Sequence, residues 1–151
     1  MEWLTLVGTL SGGVLGVGST LLVEAARARR ERGTRIEQVQ RDAYLRFLTA
    51  LTETETALLA LSQPVSNADV VSTYRAHQIL PTYYELLIAA PREVCDAARA
   101  AYRGLRAIRD AIATTGLAVG VSAEWHAVHD PYDAAVRRLR SVMRESVLGD
   151  L

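Results

Sequence analysis

Trp3 to Val23 reads WLTLVGTLSGGVLGVGSTLLV, a run of 21 residues without a charge, and EAARARRERGTR follows at once. At 1.5 Å per helical residue the run extends about 31 Å, close to the thickness of a bilayer's hydrocarbon core. It is therefore expected to be a transmembrane helix. A cleaved signal peptide would open with positive charge and close on a small-residue cleavage site. Here Met1-Glu2 leads straight into the apolar run and the arginines come after it. A helix buried in a soluble oligomer is the stronger competitor, because Gly8, Gly12, Gly13, Gly16 and Gly18 would each cost roughly 1 kcal/mol in a helix exposed to water.

On a helical wheel, Gly8, Ser19, Gly12, Thr5, Gly16, Thr9, Thr20 and Gly13 gather within an arc of about 140°, while leucines, valines and Trp3 cover the opposite side. Apolar burial cannot drive helices together in lipid, so close backbone approach and hydroxyl hydrogen bonds must do so. Gly8, Gly12 and Gly16, with Thr5, Thr9 and Ser19, are thus the expected helix-association face of a homo-oligomer or of a complex with another membrane protein. The face has no ionisable group and few hydroxyls, which argues against a pore. Arg27, Arg29, Arg30, Arg32 and Arg35 lie just after the run and no Lys or Arg precedes it. The positive-inside bias then places the N-terminus outside and the rest of the chain in the cytoplasm, as a single-pass protein of the inner membrane. The same arginines can hold anionic headgroups at about 1 kcal/mol each. The expected layout is a span over 3–23, a basic juxtamembrane segment over 24–35 and a cytoplasmic helical bundle over 36–151.

Composition narrows the function classes. Half of the 151 residues are hydrophobic, enough for one packed domain besides the anchor, and Lys plus Arg equals Asp plus Glu at 17 each. Nucleic acid is not an expected partner, since its binders carry a clear basic excess. Every basic residue is arginine, which reads as GC-rich codon usage before it reads as guanidinium chemistry. The single Cys95 has no partner for an internal disulfide.

Beyond the arginines, the apolar period is helical throughout. Ile36, Val39, Ala43, Phe47, Ala50, Leu51, Thr54, Leu58 and Leu61 predict a core-facing stripe over Arg35 to Leu61, with Gly33 as a point where the upstream helix either hinges or runs through. Asn67 to Ala89 predicts a second helix, kinked or split by Pro81. The third, Arg92 to Thr114, follows Pro91 and has the cleanest pattern: Val94, Ala98, Ala101, Leu105, Ile108 and Ile112 on one face. Its arginines, interspersed with Glu93, Asp96 and Asp110, read as a solvated face. Ser122 caps a fourth helix whose inward residues would be Trp125, Val128, Tyr132, Ala135, Leu139, Val142 and Met143, with Asp130-Pro131 as a second start or kink. No alternating stretch suggests a sheet. The expected fold is all-α: an N-terminal transmembrane helix followed by an antiparallel four-helix bundle.

Catalytic patterns are sparse. Glu124-Trp-His126-Ala-Val-His129-Asp130-Pro-Tyr-Asp133 has the spacing to set two imidazoles and a carboxylate on one helical side, so His126 and His129 with Asp130 or Asp133 form the alternative reading, a metal-binding or enzymatic bundle. Pro131 breaks the register that such a site needs. His77 reads as an interior or interface residue, and Cys95 as a packed thiol. Neither a Glu-x-x-His pair nor a phosphate-binding Gly-x-x-x-x-Gly-Lys loop occurs. The chain is expected to be no enzyme, to use no cofactor and to hold no metal.

The segment Arg41-Asp-Ala-Tyr44-Leu-Arg46-Phe47-Leu48, placed after a span and an arginine cluster, and the closing Met143-Arg-Glu-Ser-Val-Leu148-Gly149-Asp resemble small uncharacterised single-pass membrane proteins of actinobacteria. The resemblance is one of layout along nearly the whole chain. It implies a cytoplasmic helical bundle and carries no activity or site residue.

Overall fold

The computed structural model describes residues 33–61, 66–115, 120 and 122–149. Every regular element among them is a helix: α1 at residues 33–59, α2 at Asn67–Ala76, α3 at Ile79–Ala89, α4 at Arg92–Thr115 and α5 at Ala123–Leu148. The expected all-α class holds. The expected span over 3–23, its face of Gly8, Gly12, Gly16, Thr5, Thr9 and Ser19, and Arg27, Arg29, Arg30 and Arg32 lie outside the described residues; Arg35 is exposed on α1. Among the described residues no helix is long and apolar enough to cross a membrane.

The bundle is the compact unit that begins at Val39. Its axis is α4, where all six predicted inward residues are buried and Ala97 joins them. Leu105, Ile108 and Ala101 are fully covered, and burial of each of the two larger side chains stabilises the fold by about 2 kcal/mol. Gly104 lets α5 come close: a Cβ there would stand 3.0 Å from Tyr132 Cα.

Pairings along the helices fix their directions. Tyr44 and Glu55 on α1 meet Ser146 and His129 on α5, so the two run antiparallel. Arg46 and Glu53 face Glu85 on α3 and His77 just after α2 in the same reversed order. Tyr83 stacks on Tyr102 at 4.6 Å, and Arg109 lies over Tyr74, which sets α4 antiparallel to the α2–α3 rod. Two rods up and two down close around Phe47, Leu51, Leu86, Leu105 and Leu139.

The break in the second rod lies upstream of Pro81. α2 stops at Ala76, Gln78 adopts a left-handed conformation (φ 51°), and Pro81 is the third residue of α3. A proline ring clashes with the carbonyl four residues back, here that of His77, and in the first turn its missing N–H costs nothing. Pro131 behaves differently, for α5 continues through it over 26 residues. Pro131 and Ala127, whose carbonyl loses its partner, are both on the exposed side, where water can bond that carbonyl. The second start expected at Asp130-Pro131 is therefore absent.

Helix ends follow their sequence signals. The Ser66 and Ser122 hydroxyls accept from the backbone N–H of Asp69 and Trp125, at 3.1 and 3.0 Å, and Pro91 sits one residue ahead of α4, its carbonyl accepting from Cys95 N–H. On α1, Ala43, Phe47, Ala50, Leu51, Thr54 and Leu58 are buried as predicted and Tyr44 joins them. Val39 and Ile36 are exposed instead of inward. Val39 borders a groove with Ile88 and Ala89, at the end of α3. On α5, Val136 is buried while Val128 and Ala135 are only half-covered.

Candidate functional site

Of the two imidazoles in the alternative metal-binding reading, His129 is the one drawn inward. Trp125, His129 and Tyr132 are spaced by three or four residues, so they share one face of α5, and Glu55 projects from α1 to meet them. Glu55 Oε1 lies 3.1 Å from His129 Nε2, and the Tyr132 hydroxyl donates to Glu55 Oε2 at 3.1 Å. The Trp125 ring stacks on the imidazole with centroids 4.9 Å apart. Burial, and next the Glu55 carboxylate, push the Tyr132 phenol far above its ordinary value, so it remains a donor. The arrangement clamps α1 to α5 by using both carboxylate oxygens.

Its chemical reach is narrow. His126 turns to Asp130 at 3.2 Å on the exposed side, and Asp133 pairs with Arg137. The two imidazoles and the two aspartates thus do not converge: Glu55 engages His129 across helices, while His126 stays with Asp130 in water. Among the described residues no group of three or more His, Cys, Asp or Glu side chains could hold a metal ion. Neither the cleft described next nor the grooves beside α1 and α3 is lined by Glu55, His129 or Tyr132.

His77 and Cys95 are placed much as read. His77, just past the end of α2, has Nδ1 3.7 Å from Glu53. Cys95 is half-buried, its thiol directed at the carbonyls of Ala90 and Leu87, and burial followed by the neighbouring Asp96 raises its pKa. A thiol held protonated is a poor nucleophile.

The largest concavity we describe, about 550 Å³, lies where α2, the start of α3 and the second half of α4 meet. It was not legible from the sequence, where the arginines of α4 read as one solvated face. Arg92 and Arg99 do pair with Asp96 on that face. Arg106 and Arg109 instead line the cleft with Arg75 and Tyr74. The Arg109 guanidinium lies 4.7 Å from the Tyr74 ring centroid and donates twice to Asp110, at 2.8 and 2.6 Å. Tyr74 is 6% exposed, and its hydroxyl is buried beside the Tyr102 side chain. The available signal was Tyr74 and Tyr102 at positions that interleave with arginines, but it becomes a signal only once α2 is known to lie on α4.

Comparison of the chain with protein-family models, with curated proteins and with solved structures found no match.

Proposed function

We propose that this chain is a membrane-tethered, non-enzymatic interaction protein. In this reading residues 3–23 span the inner membrane, the Gly8-Gly12-Gly16 face with Thr5, Thr9 and Ser19 associates laterally with a second copy or another membrane protein, and the bundle works in the cytoplasm. The observation that carries it is the uncharged 21-residue run with one small-residue face, closed on one side by Arg27, Arg29, Arg30, Arg32 and Arg35. The narrow chemistry around His129 supports the non-enzymatic half. Its interaction half gains support from Ile88, 88% exposed beside Val39 and Ala89 along a groove of about 380 Å³.

Two measurements test the reading separately. Replacing Gly8, Gly12 and Gly16 together by Leu should abolish self-association in a membrane two-hybrid assay; unchanged association refutes the role of that face. Alkaline carbonate washing should leave the full-length chain in the membrane pellet, and its release into the supernatant refutes the tether.

A further inference from the structure

We propose that the cleft between α2, α3 and α4 binds a small organic anion with a planar apolar body, such as an aromatic carboxylate. Its volume of about 550 Å³ falls in the range of small-molecule sites, which run from about 300 to 1,000 Å³. Such sites combine apolar walls with a few convergent polar groups, and both are present here.

The polar groups ask for an acceptor. The Tyr74 hydroxyl is buried beside that of Tyr102, behind the guanidinium groups that line the cleft. Burial raises its pKa, with the interaction with the Tyr102 side chain next, so it stays neutral and leaves the positive charge of the cleft to the arginines. Arg106 and Arg109 both act electrostatically on that hydroxyl. Arg109 is engaged by Asp110, whereas Arg106 and Arg75 make no ion pair among the described residues. Three guanidinium groups against one carboxylate leave the cleft net positive. The first turn of α3 adds to it: no side chain caps this helix, Gln78 is left-handed, and Pro81 occupies the third position. The amides of Ile79 and Leu80 therefore lack intrahelical acceptors at the positive end of the helix dipole.

The walls ask for an apolar body. Ile79, Leu80 and Pro81 form one side, Tyr102 and Ala113 on α4 the other. An inorganic ion would satisfy the guanidinium groups and leave these walls wet, whereas a planar ring carrying a carboxylate satisfies both. Guanidinium meets a carboxylate in a bidentate fork, and Arg106 is the arginine placed for it.

The test uses the full-length chain and isothermal titration with 2-naphthoate, its neutral isostere 2-naphthylmethanol, and inorganic phosphate. Saturable one-to-one binding of naphthoate is expected, with the alcohol and phosphate each at least tenfold weaker. Arg106→Gln, at an exposed position, should weaken naphthoate at least tenfold without loss of far-UV helicity. Absence of saturable naphthoate binding overturns the proposal, as does equal binding by Arg106→Gln. Phosphate binding as tight as naphthoate overturns the apolar half. None of these outcomes depends on residues 3–23, so the site and the tether stand or fall separately.

Discussion

Gly104→Ala opposes two effects of known sign. Alanine is the better helix former by about 1 kcal/mol in a helix interior, so local propensity alone predicts a more stable protein. The new methyl, however, would stand 3.0 Å from both Cα and Cβ of Tyr132 and 3.2 Å from its Cδ2. Two of these atoms belong to the frame of α5 and cannot turn aside, and Tyr132 is tied to Glu55 through its hydroxyl. Relief thus requires α4 and α5 to move apart along a core that includes Leu105 and Leu139. Overpacking of this kind costs about 1 to 3 kcal/mol. With the backbone as the obstacle we take the upper part of that range, which leaves a net loss of about 1 to 2 kcal/mol after the propensity gain. For a chain of this size that lowers Tm by roughly 3 to 6 °C. Thermal unfolding followed by circular dichroism, with urea midpoints as a second measure, reads the sign directly. A Tm equal to or above the parent's would refute the close approach of α4 and α5 at this glycine.

Three further outcomes follow from the same geometry. Tyr132→Phe removes one donor to Glu55 and should cost about 1 to 2 kcal/mol in urea unfolding, and a cycle with Glu55→Gln should show coupling of at least about 0.5 kcal/mol; strict additivity would mean that the clamp does not form. The phenols of Tyr74 and Tyr132 are both held above the ordinary 10.0, so below that pH they are neutral folded or unfolded, and above it the unfolded chain ionises first. Stability should therefore hold up to about pH 9 and fall as pH rises through and beyond about pH 10, and the Tyr74→Phe, Tyr132→Phe double variant should lose less over that rise. Thr54 is fully buried and its hydroxyl donates to the Ala50 carbonyl of its own helix at 2.6 Å, so Thr54→Val should change the urea midpoint by less than about 1 kcal/mol, because that carbonyl already sits in the helix ladder.

Much of the fold was legible because each helix writes its own buried side into the chain. The α4 pattern was complete, and Ser122 marked a helix start through a rule that involves only its neighbour three residues on. Pro81 announced a break but not its position, since the clash falls on the His77 carbonyl four residues earlier. Pro131 suggested a second start or a kink, and no second start occurs, because whether a lost hydrogen bond matters depends on which side of the helix faces water. Val39 carried the right period yet stands exposed, since periodicity says nothing of where a neighbouring helix ends.

By itself the amino-acid order determined that the described chain would be helical, which face of α4 would be covered, and where most helices begin, all consequences of contacts within a turn or two. Tertiary structure decided that Glu55 meets His129 and Tyr132, residues 74 and 77 positions away, that Gly104 lies against Tyr132 of α5, and that Arg75 and Arg106 share a cleft with Tyr74. These depend on the register and rotation of one helix against another, which the summed packing of the core sets and no local pattern records.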